Sequence, residues 1–162
     1  MLNFLQHSAP RRKAAHRMRQ FKKGGGAVEP AMTSLETEVF SAEREWTVDG
    51  IPVLTVRIAL PEPVGQEPRL APRVRRYYHA QCQAYLRYCG RQLFPQAAAA
   101  YRAALETSTP LPCTHAELDF RVTYSENGFW SLYTQSREPG PDGRTLLRRW
   151  GDTWDLRTGY PA

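Results

Sequence analysis

The chain has 162 residues, of which 41% are hydrophobic and 23% charged, which is the size and composition of one soluble globular domain with a substantial core. The net charge is +6, but residues 1–26 hold seven Lys or Arg and no acid, and the remaining residues hold 15 basic and 16 acidic side chains. This distribution argues against a folded nucleic-acid-binding surface, and no run of 18 apolar residues predicts a membrane-spanning helix.

Residues 1–35 are predicted to form a basic, flexible tail with a glycine joint at 24–26. Its short apolar stretch precedes its charges, the reverse of a signal peptide, so the cytoplasm is the default expectation. The tail is either a solvated segment or an anchor on an anionic surface, nucleic acid or lipid. The residues that such an anchor would use are Arg11, Arg12, Lys13, Arg17, Arg19, Lys22 and Lys23.

A folded domain is predicted over residues 36–162, and it begins with a β-hairpin. In residues 36–48, mostly apolar side chains alternate with mostly polar ones, and this period of two is typical of a strand. Asp49-Gly50 is a favoured pair for a two-residue type I′ turn. The following run, residues 51–61, is β-branched and apolar, and therefore predicts the second strand.

A proline-containing loop is expected over residues 61–71, followed by a long helix. Apolar and aromatic side chains recur at helical spacing and predict one buried side. Pro95 is expected to kink or restart this helix, because it lacks an N–H and clashes with the preceding turn. The residues of the predicted buried side are Val74, Tyr78, Cys82, Tyr85, Cys89 and Leu93.

The last part of the chain is predicted to be β again. Apolar and polar side chains alternate in residues 116–124. Asn127-Gly128 is a second hairpin turn that leads into residues 129–136. A polar loop over 137–145 and a further strand over 146–156 follow. We therefore predict an α+β fold: an antiparallel sheet of about five strands in the order β-β-α-β-β-β, with one long, Pro95-kinked helix packed on one face.

The sequence offers no pattern typical of catalysis, of a cofactor or of a metal. None of the four histidines has a second ligand at metal-binding spacing on its own element. The three cysteines, Cys82, Cys89 and Cys113, form no close pair, and we interpret them as small buried apolar side chains, although a bridge from Cys113 to either of the others stays open. We therefore expect no enzyme, no cofactor and no metal.

Aromatic residues are the main candidates for binding a partner. Trp150 and Trp154 are an even number apart and are expected to share one face of the last strand, near Trp130 and Tyr133. Exposed together, these four side chains would form a binding face for a protein or a sugar, whereas buried they would be sheet core. An open sheet edge would add backbone hydrogen bonds to a partner, or pair with a second copy of the chain.

Two segments, "YSENGFWSLYT" and "GDTWDLRTG", resemble the extracytoplasmic sensor domain of RsiV-like anti-sigma factors, which is shared with the N-terminal region of peptidoglycan and polysaccharide deacetylases. The resemblance covers about residues 36–161. It implies a non-enzymatic module that binds a protein or cell-wall ligand, lysozyme in the founding example. The alternatives are an accessory domain of a deacetylase system and an anionic-surface binder acting through the tail.

This sequence differs from the family pattern in ways that bear on its ligand. The loop before the last strand carries no histidine, and the family pattern continues beyond "DLRTG". The resemblance therefore implies a C-terminally incomplete member with an uncovered sheet edge, and weak or no binding of lysozyme.

Overall fold

The computed structural model describes residues 35–64, 70–140 and 142–162 of the chain. The predicted basic tail, with its seven Lys and Arg residues, lies outside the described residues. The described chain forms one sheet and one continuous helical segment, which is α-helical at both ends and π-helical between them. The strands are β1 (Glu36–Val48), β2 (Ile51–Val64), β3 (Thr114–Glu126), β4 (Phe129–Pro139), β5 (Thr145–Asp155) and β6 (Tyr160–Pro161), and the helices are α1 (Leu70–Tyr88) and α2 (Phe94–Thr107).

Both predicted hairpin turns are confirmed. Asp49 and Gly50 have φ values of 51° and 81°, and Asn127 and Gly128 have φ values of 53° and 75°. A type I′ turn needs positive φ at both central residues, which Asn, Asp and Gly tolerate best. The turns set β1 antiparallel to β2, and β3 antiparallel to β4.

The predicted sheet of about five antiparallel strands is wrong. The described sheet has six strands in the order β1-β2-β3-β4-β5-β6, and it is mixed, because β2 and β3 are parallel. The helical segment is the reason: it leaves the end of β2 and returns the chain to the start of β3, so that both strands run in the same direction. Both ends of the predicted loop over 61–71 differ as well, because β2 continues to Val64 and α1 begins at Leu70, while residues 65–69 lie outside the described residues.

The predicted kink at Pro95 is also wrong. α1 passes into α2 through a π-helical turn, Cys89–Leu93, in which the Phe94 N–H donates to the Cys89 carbonyl oxygen five residues earlier. Pro95 follows directly, in the first turn of α2. The first turn of a helix tolerates a residue without an N–H, so the wider π turn accommodates the proline.

The core lies between the helical segment and one face of the sheet. The predicted buried side of the helix is confirmed, since Val74, Tyr78, Cys82, Tyr85, Cys89 and Leu93 are all at most 7% exposed. They pack on alternate residues of β2, Leu54, Val56, Ile58 and Leu60, and on β3 and β4. None of the described helices is long and apolar enough to cross a membrane.

Candidate functional site

A cleft lies on the helix-covered face of the sheet, between the C-terminal half of α1 and the strands β4 and β5. Its volume is about 280 Å³, at the lower end of the roughly 300–1,000 Å³ of ligand pockets. It can therefore hold one amino-acid side chain or a small polar head group. The residues that line it are Gln81, Ala84, Tyr85, Tyr88, Leu118, Ser136, Glu138, Arg148 and Trp150.

Glu138 is the most unusual residue of the cleft. It lies on β4 an even number of residues from Trp130, Leu132 and Ser136, so its side chain is on the same face of the strand and points toward the helix. Its side chain is only 1% exposed, and no donor meets either carboxylate oxygen with good hydrogen-bond geometry, although the Tyr88 hydroxyl lies close enough to interact with the carboxylate. A buried carboxylate without donors is costly, and native proteins normally satisfy such groups.

Arg148 is the charged partner nearest to this carboxylate. Its Nη2 lies 3.5 Å from Glu138 Oε1, a charge contact without hydrogen-bond geometry. The arginine side chain is 55% exposed, and its guanidinium carbon lies 6.0 Å from the centre of the Tyr88 ring. Arg148 therefore covers Glu138 at the mouth of the cleft but leaves its oxygens unsatisfied.

Aromatic rings form much of the remaining wall. Tyr85 and Tyr88 stack with their ring centres 6.0 Å apart, and the Tyr85 hydroxyl donates to the Glu117 carbonyl oxygen at 3.1 Å. Burial raises the pKa of Tyr85, and burial followed by the nearby Glu138 charge raises the pKa of Tyr88. Both hydroxyls are therefore protonated around pH 7.

The side chains that line the cleft define the chemistry it presents to a ligand. Among the described residues, no three or more His, Cys, Asp and Glu side chains are grouped closely enough to hold a metal ion. The lining residues include one carboxylate and one guanidinium, and no Ser–His or Cys–His pair. What the arrangement offers a ligand is a carboxylate, a guanidinium beside it and aromatic side chains.

Two of the four aromatic residues predicted to bind a partner are core residues. Trp130 is fully buried, Trp154 is 3% exposed, and the two lie opposite each other on β4 and β5. The Trp154 Nε1 donates to the Tyr78 hydroxyl at 3.2 Å, and that hydroxyl donates to Asp152 Oδ2 at 3.2 Å. Their burial fits the sheet-core alternative and leaves them no surface for a partner.

The other two predicted residues lie on opposite faces of the sheet. Trp150 lines the cleft and is 37% exposed, so it does present surface beside the edge of the sheet. Tyr133 is an odd number of residues from Trp130, so its side chain lies on the face of the sheet away from the helix. The Arg149 guanidinium carbon lies 5.1 Å from its ring centre there. The structure therefore does not join these four residues into one binding face, and binding through Trp150 or Tyr133 stays a prediction.

Sequence patterns did not predict Glu138, Arg148 or Gln81 as site residues. Glu138 falls in the segment 137–145 that was predicted to be a loop, whereas β4 continues to Pro139. One signal was present: counting in steps of two from Trp130 reaches Glu138 on the inward face. Gln81 and Arg148 are polar residues of a helix and a strand, with no spacing that marks them.

Comparisons with known proteins give a fold but no activity. Neither the scan against protein-family models nor the search of curated proteins finds a match. A crystal structure of a DUF3298 family member from Bacteroides fragilis is similar, with a TM-score of 0.59 and 12% identity, over 81% of this chain and 60% of that chain. A DUF3298 family protein from Pseudomonas aeruginosa gives a TM-score of 0.46 and 17% identity, over 81% of this chain and 56% of that chain. This chain therefore spans about three fifths of the length of these structures, and its fold is similar to that of the Bacteroides DUF3298 protein.

Proposed function

We propose that the chain is a non-enzymatic binding module that holds an extended segment of a partner protein along β5 and the adjoining cleft. The observation that carries this proposal is the buried, unsatisfied Glu138 carboxylate beside the exposed ring of Trp150. A site that only stabilised the fold would be expected to satisfy such a group internally.

The edge of the sheet supports the same proposal. β6 pairs with β5 only at Trp154 and Asp155, so residues 145–152 have no strand partner on that side within the described chain. An extended peptide can add to such an edge through backbone hydrogen bonds, while side-chain pockets provide selectivity. Trp150 and the cleft lie directly beside this edge.

Lysozyme sensing of the RsiV type is the narrower form of this proposal. Retention of the protein on immobilised hen lysozyme tests it, and we expect weak or no binding because the histidine-containing loop of that family is absent. Clear retention would show that the altered loop does not matter.

The proposal itself is tested with a displayed library of short random peptides, selected against the immobilised protein. We expect selected peptides to lose at least about tenfold in affinity with Trp150→Ala, because a buried aromatic anchor contributes 1.4 kcal/mol or more. Tyr124→Ala is the matched control, since this aromatic residue is 41% exposed but lies on β3, away from the cleft.

Two results would overturn the proposal. One is a selection that yields no binding peptides, while soluble cell-wall oligosaccharides bind with Trp150-dependent affinity. The other is a set of peptides that bind the Trp150→Ala protein as tightly as the unaltered one.

A further inference from the structure

We infer that the cleft is a site for a primary ammonium group, supplied by a lysine side chain of the partner segment. Arg148 covers the site in the unbound protein. This inference rests on the proposed function, because it names the side chain by which that segment would be recognised.

The first argument is the set of acceptors that the fold leaves unused. Both carboxylate oxygens of Glu138 and the side-chain oxygen of Gln81 are buried without a hydrogen-bond partner, and both residues line the cleft. Unused acceptors therefore belong to both walls of the cleft, the Glu138 carboxylate on β4 and the Gln81 amide oxygen on α1. Leaving a buried acceptor unpaired is destabilising, and more so when the group is charged.

The second argument is the chemistry that these acceptors require. An ammonium group has three N–H donors and no acceptor, so it can donate to the Glu138 carboxylate without bringing an unpaired acceptor of its own. Its positive charge is favoured by the Glu138 carboxylate and by the faces of the aromatic rings in the wall. An anionic group would meet the carboxylate directly, and a neutral sugar hydroxyl brings a single donor.

The third argument is the behaviour of Arg148. Its guanidinium approaches Glu138 to 3.5 Å and lies over Tyr88, but makes no hydrogen bond to the carboxylate. With 55% of its side chain exposed, Arg148 can move outward at little cost in buried surface. A compact ammonium group can enter where the wider, planar guanidinium remains at the mouth.

The position of the cleft favours lysine as the source of the ammonium group. A cleft of about 280 Å³ has room for the alkyl ammonium end of a lysine side chain. The open β5 edge lies beside it, so a peptide paired with that edge would direct alternate side chains toward the cleft. A lysine at one of these positions would reach Glu138 while its backbone pairs with β5.

The direct test is an NMR titration of the ¹⁵N-labelled protein with n-butylammonium chloride, which reproduces the lysine side chain. We expect saturable shifts of the Trp150 indole N–H and of the Arg148 Nε–H signals. n-Butanol, which lacks the charge, and tetramethylammonium, which lacks N–H donors, should bind at least about tenfold more weakly. Equal shifts with all three compounds, or none with n-butylammonium, would overturn the inference and leave water as the partner of Glu138.

Glu138→Gln and Arg148→Ala should change the affinity for n-butylammonium in opposite directions. Glu138→Gln keeps the shape of the side chain but removes its charge, and should weaken binding at least about tenfold. Glu117→Gln is its control, because that carboxylate is 47% exposed on the far face and pairs with Arg137.

Arg148→Ala removes the resident cation and should tighten binding severalfold. Arg57→Ala, which removes a 70% exposed arginine paired with Glu43, should leave the affinity unchanged. A purely structural role for Arg148 predicts no tightening, and that result would contradict the inference.

The selected peptides separate failure of this inference from failure of the proposed function. If their binding depends on Trp150 but is unchanged when each lysine is replaced by norleucine, the lysine site is wrong and the binding module stands. If n-butylammonium saturates the cleft but no peptide is selected, the ammonium site stands and the protein-binding function is wrong.

Discussion

Tyr78 is the residue through which the helix and the sheet share a buried polar contact. Its hydroxyl accepts from the Trp154 indole and donates to Asp152, and the half-buried Tyr77 donates to the other oxygen of the same carboxylate at 3.0 Å. Tyr78→Phe leaves the buried indole N–H without an acceptor, so we expect a loss of about 1–2 kcal/mol in the free energy of unfolding, measured with urea. Tyr77→Phe, whose hydroxyl is half-buried, should cost less, and equal losses would contradict this account.

The cysteines differ in accessibility, which gives a second prediction at this scale. Cys82 and Cys89 are free and buried, burial raises the pKa of both thiols, and that of Cys89 reaches about 12. Cys113 is free and exposed, so the prediction of three buried cysteines is wrong for Cys113, and the structure contains no bridge from it to Cys82 or Cys89. In the folded protein, a thiol reagent should modify one cysteine rapidly and all three only in denaturant, with Cys113→Ser abolishing the rapid reaction. Rapid reaction of a second thiol would show that the helix opens readily.

At the scale of elements, the π-helical turn contains a glycine that the packing does not require. A Cβ on Gly90 would lie 3.5 Å from the Trp46 indole nitrogen, an ordinary contact. Glycine is about 0.8–1.0 kcal/mol less favourable than alanine inside a helix, so we expect Gly90→Ala to raise the melting temperature.

Gly159→Ala is the contrasting change. Gly159 has φ of +72° in the turn before β6, where alanine is strained, and this turn also contacts Arg73 and Leu70 at the start of α1. This substitution should cost about 1 kcal/mol and lower the melting temperature, measured by circular dichroism. A lower melting temperature for Gly90→Ala as well would show that the π turn needs the freedom of glycine.

The elements that the sequence predicted well are those with a local cause. Asp49-Gly50 and Asn127-Gly128 set both hairpins through their own backbone preferences. The parallel pairing of β2 with β3 depends on where a helical connection of more than 30 residues returns the chain, and no residue pattern marks that. Glu138 was missed for a related reason: the proline and glycines after it predicted a loop, while pairing with β5 extends β4 to Pro139.

The whole molecule is a sheet crossed by one helical segment, and the course of the helix creates the cleft. α1 starts against the turn before β6, where Arg73 Nη1 donates to the Thr158 carbonyl oxygen at 3.2 Å. The π-helical turn that follows α1 lies near β1, where a Cβ on Gly90 would be 3.5 Å from the Trp46 indole nitrogen. The helical segment covers the middle of the sheet but leaves the first half of β5 open on the same face, and there Leu146 and Trp150 are both 37% exposed. The cleft is the boundary between the covered and the open parts of that face.

The tyrosines between helix and sheet make the stability of the whole molecule sensitive to alkaline pH. Burial raises the pKa of Tyr77, Tyr78, Tyr85 and Tyr88 above the ordinary value of 10.0, and the Asp152 or Glu138 charge adds to the effect. A raised pKa in the folded state means that stability is fully present below pH 10, because the hydroxyls are then protonated in both states. Above pH 10 the unfolded chain releases protons that the folded chain keeps, so the free energy of unfolding falls as pH rises toward the folded-state pKa values.

We therefore expect the melting temperature to be nearly constant from pH 7 to about 9 and to fall steeply above about 10. Tyr85→Phe should make this fall shallower, because one of the strongly perturbed hydroxyls is removed. Tyr124→Phe removes an exposed hydroxyl and should leave the slope unchanged. If absorbance at 295 nm showed all eight tyrosines of the chain ionising near pH 10 before any unfolding, the helix would not be packed on the sheet as described.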